Sequence, residues 1–412
     1  MNKGDAQVSE PVDLKRSVSL PMVTLYGLGT IIGAGIFVLI GKVAGIAGIY
    51  APISFLVASI IAAFTAFSYA ELASRFPKSA GEAIYLEEVF HRHGFSVAMG
   101  LAIAAVGIIS AATITNGAVG YIRIFIDLPP WLIVLLLVAF LTLLAAWGIS
   151  ASVAVASFTT AITIVGLIIV IVVNHDALAL LPSRLPQLLP GDPGLWGAIV
   201  FGGFVAFYAF IGFEDMINIA EEVKSPERNM PLAILLALAA ATVLYLLISL
   251  VAVLAHDPAK LAASDAPLTA LIADDRPAVK LAIGIISILA IVDGILIQII
   301  KSSRILYGMS RQRLIPPLFD RVHPYTQTPL LATVTVAALV LLLSLSLPLL
   351  TLAQSTSFIT LLVFAIVNFT LWRLKTKGDA ANSPAINLPL WVPAVGAISC
   401  IVFILIQLLQ WP

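Results

Sequence analysis

The stretch "GLGTIIGAGIF", residues 27–37, sets four glycines, Gly27, Gly29, Gly33 and Gly35, inside an apolar segment. Each glycine in a helix interior costs about 0.5–1 kcal/mol relative to alanine, so such a density demands a reason. Three are available. The glycines would cradle the pyrophosphate of a dinucleotide, or form a packing face through the GxxxG spacing of Gly29 and Gly33. Alternatively, they would interrupt a membrane helix so that bare backbone can grip a solute.

Composition narrows the choice. The chain has 412 residues, 60% of them hydrophobic and 11% charged, and its mean hydropathy is +1.08. A soluble domain carries about 25% charged residues, so this chain lacks the polar surface to stay in water. Several apolar runs reach the roughly 20 residues that span a bilayer. The chain reads as a polytopic membrane protein with the lipid bilayer as its surroundings. A net charge of zero gives no sign of a nucleic-acid partner. The single cysteine, Cys400, excludes an intramolecular disulfide. The polar first 18 residues carry no cleavable signal peptide. No His/Cys cluster has metal-ligand spacing, and no metal or cofactor is expected. A dinucleotide fingerprint needs a preceding strand and an acidic partner about 20 residues on; here apolar sequence flanks the glycines on both sides.

Eleven spanning segments are expected, at 20–43, 49–71, 95–122, 129–148, 152–174, 195–222, 232–255, 277–300, 329–347, 349–372 and 389–411. All should be helical, because lipid cannot satisfy backbone polar groups. Between spans two and three, "RFPKSAGEAIYLEEVFHRHG" reads as an interfacial helix. A proline-rich loop follows span five, and a loop with a surface helix follows span seven. Sixteen of the 22 Lys and Arg residues fall on one side if the N-terminus is inside. The positive-inside rule therefore puts residues 1–18 in the cytoplasm and Pro412 outside. The expected location is the cell membrane.

Span six, "LWGAIVFGGFVAFYAFIGFEDMINIAEEV", is the other glycine-interrupted helix, with Gly202, Gly203 and Gly212. Spans one and six open two five-helix halves, 19–174 and 195–373, and 389–411 is an extra helix within one transport domain, 1–412. An odd number of helices per half inserts the second half upside down. Interrupted helices at corresponding positions of inverted halves point to a midplane binding site in a transporter.

"GLGTIIGAGIFVLIG", "FYAFIGFEDMINIAEEVKSPERNMPLAI" and "SSRILYGMSRQRLIPPLF" resemble, in order and spacing, the amino acid–polyamine–organocation superfamily of secondary transporters. The resemblance covers spans one to ten. It implies an all-α membrane protein of LeuT type: a 5+5 inverted repeat with discontinuous helices 1 and 6, here with about eleven spans where many members have twelve. It implies a permease, not an enzyme, moving a small amino acid by alternating access, coupled to protons or working by exchange; because the expected side-chain contacts in spans three, eight and ten offer no unpaired charge, a neutral L-amino acid is expected. The substrate carboxylate would meet backbone N–H groups near Gly33, Ala34 and Gly35. The ammonium would meet carbonyls of Ile31, Tyr208 and Ile211, within the unwound run Tyr208, Ala209, Phe210, Ile211. Tyr208 would gate the site, against the plainer reading of a packing tyrosine. Side-chain contacts would come from Ser110, Thr113 and Asn116 in span three, Ser355, Thr356 and Ser357 in span ten, and span eight.

Three positions bear on coupling. An ionised side chain at mid-bilayer costs roughly 2.5–3.5 kcal/mol on insertion scales. Glu214 matches a glutamate of many relatives and would carry a proton or brace the spans; its neighbour Asp215 would face water or a partner. Asp293 stands where the family more often has asparagine. Thr163 stands where proton-coupled members often have a lysine, and it would be a sodium ligand were Ile291 not lacking the second oxygen. A polyamine or organic-amine carrier is the runner-up, followed by a lipid enzyme of the membrane and a channel. The "KSSRILYGMSRQR" cluster reads as the inner anchor of span eight, with an inner-gate ion pair as its alternative, and the histidines receive no role.

Overall fold

Apolar segments that must satisfy their own backbone become helices. The computed structural model of the chain describes residues 16–33, 35–78, 81–90, 93–147, 153–377 and 386–410, and is built from helices throughout. In chain order these are α1 (Leu20–Ile32), α2 (Gly35–Ala47), α3 (Ala51–Arg75), α4 (Gly81–Phe90), α5 (His93–Arg123), α6 (Pro130–Trp147), α7 (Val153–Val173), α8 (His175–Ala179) and α9 (Leu181–Leu188). They continue with α10 (Leu195–Phe207), α11 (Pro226–Ala255), α12 (Pro258–Ala263), α13 (Pro267–Ala270), α14 (Pro277–Arg311), α15 (Leu330–Ser346), α16 (Leu349–Thr376) and α17 (Trp391–Gln410). No strand occurs among the described residues; Val18 and Val223 form one isolated parallel bridge.

Among the described residues nine helical runs are long and apolar enough to cross a membrane, and α1 and α15 are shorter apolar helices. The run Gly35–Arg75 has 41 residues. At 1.5 Å per residue that is about 60 Å, twice the hydrocarbon thickness of a bilayer. A 3-10 turn at Gly48–Tyr50, with Gly48 at φ +58, divides it into α2 and α3. The chain is an all-α membrane protein. Several segments differ from expectation: α11, for one, begins at Pro226 and not at 232. Helix α14 runs to Arg311, well past residue 300, because Lys301 is paired inside the protein and does not mark an interface. The proline-rich loop after α7 folds into α8 and α9; Pro182 sits at a helix start, where no N–H is missed.

Both expected interruptions are present. Helix α1 stops at Gly33 (φ 16, ψ −110), whose N–H reaches the Gly29 carbonyl at 2.9 Å, and α2 begins at Gly35. After α10 comes a 3-10 turn, Tyr208–Phe210, then extended Ile211, then Gly212 at φ +131, then a 3-10 segment, Phe213–Glu222. The breaks are pressed together, backbone on backbone. A Cβ on Gly212 would lie 2.3 Å from the Thr30 carbonyl oxygen, and one on Gly35 would lie 2.5 Å from Cα of Ala209. The glycines before the break do the packing: Gly27 makes room for Met216 and Gly29 for the Thr160 hydroxyl. Close packing therefore falls to Gly27 and Gly29, whereas Gly33, the other half of the expected GxxxG pair, meets only the backbone of its own helix and marks the interruption.

Around this junction the helices form two groups. Helix α1 packs on α7 and α11, and α3 on α10 and α11; α5 packs on α14 and α16, with α15 against α5, α6 and α14. The chain before α1 is tied to the end of the second interrupted span. Val18 N–H donates to the Glu222 carbonyl at 3.0 Å, and Lys224 N–H donates to the Val18 carbonyl at 2.9 Å. The last helix is moored by Glu71, fully buried on α3. Its carboxylate takes the Arg75 guanidinium and the Lys375 ammonium, each at 2.7 Å, and the Leu388 N–H at 2.9 Å.

Gly212→Ala must strain a positive φ and collide with Thr30, an overpacking cost of about 1–3 kcal/mol. Gly308→Ala, in open space on α14, should be neutral or stabilising by up to about 1 kcal/mol. Thermal unfolding in detergent is expected to show a lower melting temperature for the first variant only. Equal melting temperatures would contradict the packed junction.

Candidate functional site

The junction of the two breaks opens onto a cavity with about 630 Å³ of empty space, its mouth included. Its wall begins with Gly29, Thr30, Ile31, Gly33 and Gly35 on the first interrupted span and Tyr208 and Ile211 on the second. Of the sequence-predicted binding residues, Ile31, Gly33, Gly35, Tyr208 and Ile211 thus share one cavity. Ala209 and Phe210 stand behind it. Ala209 packs on Gly35, and Phe210 meets the Tyr245 ring edge-on with centroids 5.1 Å apart. Ala34 lies outside the described residues.

The helix ends give this junction its polarity. The first N–H groups of α2 have no partner within their own helix, and the helix dipole adds positive potential there. Such an end receives anions. The last carbonyls of α1 present the opposite sign. Tyr245 of α11, fully buried, holds the breaks in register: its hydroxyl lies 2.9 Å from both the Ile31 and the Ala209 carbonyl oxygens. Its single proton serves one carbonyl at a time. Tyr245 was not anticipated; the signal was a hydroxyl in the middle of the apolar run "TVLYLLISL".

Tyr208 lines the cavity. Its hydroxyl lies 2.9 Å from the Ser110 hydroxyl and 3.2 Å from the Ser110 carbonyl oxygen on α5. Ser110 alone of the polar residues expected from spans three and ten lines the cavity. Thr113, Ser355 and Thr356 donate to carbonyls of their own helices, and Asn116 reaches the Leu347 carbonyl at 3.0 Å. The remaining polar wall comes from α7, through Thr159, Thr160 and Thr163, from α14, through Asp293 and Gln298, and from Asp215 beyond the second break.

The three coupling candidates separate. Asp293 and Thr163 line the cavity; Thr163 donates to the Thr159 carbonyl at 3.0 Å. Glu214 turns back onto the break, its carboxylate accepting the Gly212 N–H at 2.8 Å, and it is buried away from the cavity wall. Asp215 has found a partner: its carboxylate pairs with the Lys301 ammonium of α14, both side chains nearly inaccessible. Along "VDGILIQIIK", Asp293 and Lys301 lie eight residues apart and Gln298 and Lys301 three, while from sequence alone Lys301 reads as an interfacial cation.

Irregular backbone thus meets a cavity between membrane helices, with charged groups gathered beside it; at membrane depth such backbone is tolerated only where protein or a water-filled cavity serves it. Residues 18–411 match the family model for amino acid permeases, and the chain belongs to that family. Among its relatives, the vacuolar cationic amino acid transporter 4 of Arabidopsis thaliana is 31% identical over 381 residues, which cover 87% of this chain and 63% of the relative. The branched-chain amino acid permease BcaP of Bacillus subtilis is 28% identical over 429 residues, covering 97% and 90%. The methylthioribose transporter of the same organism is 30% identical over 418 residues, covering 95% and 87%. The chain spans less than two thirds of the length of the plant transporters it matches first.

Two variants test the geometry. Tyr245→Phe leaves the two carbonyls without their donor and should cost about 1–3 kcal/mol of stability, read as a lower melting temperature; an unchanged value would contradict the bridging role. For the buried ion pair, Asp215→Leu and Lys301→Met should each cost about 3–5 kcal/mol, while the double variant recovers most of the loss. Additive losses in a double-mutant cycle would show that the pair does not interact.

Proposed function

We propose that this permease moves an amino acid across the membrane by alternating access as a secondary active transporter. The observation that carries this is the paired interruption: two broken helices meet at one cavity and offer an anion-binding N-terminal end beside free carbonyls. A zwitterion is complementary to both. Its carboxylate sits against the N–H groups near Gly33, Ala34 and Gly35, and its ammonium meets the carbonyls of Ile31, Tyr208 and Ile211. The Ile31 carbonyl already accepts from Tyr245, and that of Tyr208 from the Ile211 N–H at 3.2 Å. A carbonyl has two lone pairs, so each keeps one for substrate. Tyr208, bonded across to Ser110, is the gate over the ligand. A polyamine would leave the N–H end unmatched and ranks second.

The architecture that goes with this function is a pair of five-helix halves, 19–174 and 195–373, related by inversion, with 389–411 outside the repeat. The proposed orientation has eleven passes, residues 1–18 in the cytoplasm, and the cell membrane as the site of action. The relatives are transporters named for different substrates, cationic and branched-chain amino acids and methylthioribose. The side chain accepted by this chain must therefore follow from its own cavity.

We assign coupling to protons and place it at Asp293, which shares the cavity with the substrate. Glu214 braces the break through Gly212, and Thr163 contributes a hydroxyl without a second oxygen at Ile291. In proteoliposomes with an imposed pH gradient, the wild type should accumulate amino acid. Asp293→Asn should reduce gradient-driven accumulation to the level of protein-free vesicles. Glu214→Gln should chiefly lower the melting temperature. Accumulation that persists undiminished in both variants would contradict proton coupling at these acids, and failure of every free amino acid to drive counterflow would contradict the permease itself.

A further inference from the structure

Beyond the breaks, the cavity wall holds more hydrogen-bond acceptors than a zwitterion needs. Asp293 lines it from α14, half-buried. Asp215 lines it as well, only 4% exposed; one carboxylate oxygen is held by Lys301, and the other, Oδ2, is buried with no hydrogen-bond partner. Gln298, 9% exposed, lines the same cavity, and its Oε1 is likewise buried without a partner. Positions 293, 297 and 298, and 301 recur at helical spacing on α14. Carboxylate, amide and ammonium therefore follow one another along a single stripe, Asp293 and Gln298 about 7.5 Å apart along the axis.

The charge on this stripe is unbalanced. Lys301 neutralises Asp215, and the lining residues include no lysine, arginine or histidine to neutralise Asp293. A buried acceptor without a donor costs about 1–3 kcal/mol. A site built to bond a substrate N–H group rejects an analogue that lacks it far more strongly than an apolar pocket rejects a missing methylene. A neutral side chain was expected from sequence because spans three and ten offered no charge, but the cavity takes only Ser110 from those spans and draws its polar wall from α7 and α14.

We infer that Asp293, Gln298 Oε1 and Asp215 Oδ2 form a side-chain subsite for the cationic end of a dibasic amino acid. This rests on the zwitterion clasp proposed above and extends it: the α-carboxylate and α-ammonium stay at the breaks while a terminal ammonium or guanidinium reaches the stripe. Asp293 is then shared, taking either the substrate's cation or a proton, and the two exclude each other. Lys301 is a positioning residue. It fixes one oxygen of Asp215 and leaves the other without a partner.

The test is calorimetric titration of the purified full chain with three compounds. Lysine carries both ends. Norleucine is lysine without its terminal nitrogen, and cadaverine is lysine without its carboxylate. Lysine is expected to bind at least about tenfold more tightly than norleucine, and cadaverine more weakly than lysine. In Asp293→Asn the lysine-to-norleucine affinity ratio should fall by about tenfold; both affinities are read in one preparation, so losses of folded protein cancel. Norleucine binding as tightly as lysine to the wild type, or no lysine binding at all, overturns the subsite and leaves an amino acid permease of other specificity. Cadaverine binding as tightly as lysine overturns the zwitterion clasp instead. A ratio unchanged in Asp293→Asn overturns the assignment of that carboxylate. Should this variant not survive purification, the wild-type ratio decides.

Discussion

Everything in this molecule depends on two interrupted helices meeting backbone to backbone inside a membrane. Lipid offers no partner for a free N–H or carbonyl, so an interruption survives there only if protein or ligand supplies one. The chain supplies partners with unusual economy of side chain. Gly212 lies against the Thr30 carbonyl and Gly35 against Ala209, closer than any Cβ would allow. Tyr245 reaches one carbonyl from each break, and Glu214 caps the Gly212 N–H. Each contact joins the first interrupted span to the sixth or fixes the end of one of them.

Once the breaks are held, the rest of the polar chemistry has a place to gather. An ion pair buried in a low-dielectric interior is poor evidence of stability, because desolvation consumes much of the Coulomb gain. The pair between Asp215 and Lys301 is better understood through what it leaves over. One carboxylate oxygen is satisfied, while the other is buried without a partner on a residue that lines the cavity. The same contrast separates Glu214 from Asp293. The first spends its carboxylate on the backbone, while the second stands in the cavity wall.

Much of the fold was legible because membrane helices obey a harsh rule: apolar runs of sufficient length must be helical, and glycine clusters inside them must have a cause. The all-helical membrane fold could be read from the apolar runs, and the breaks from the glycines of residues 27–37 and from Gly212, while Gly202 and Gly203 lie inside α10. Ile31, Gly33, Gly35, Tyr208 and Ile211 of the expected binding residues line the cavity, where the glycines mark the approach of one break to the other. What the sequence hid was long-range. Lys301 reads as an interfacial cation until its partner Asp215, distant in the chain, is seen beside it. Tyr245 reads as one hydroxyl in an apolar helix until the carbonyls of Ile31 and Ala209 are seen around it. The polar residues of spans three and ten carry the opposite lesson: in Thr113, Ser355 and Thr356 the hydroxyls serve their own helices, and composition could not distinguish that from a pocket lining.

The most direct measurement is an experimental structure of the protein with a bound amino acid. The account requires the α-carboxylate within hydrogen-bond distance of the backbone N–H groups at the start of α2, and the α-ammonium against the carbonyls of Ile31 and Ile211, with both spans still interrupted. A ligand bound elsewhere, or first and sixth spans that close into continuous helices when it binds, would contradict it.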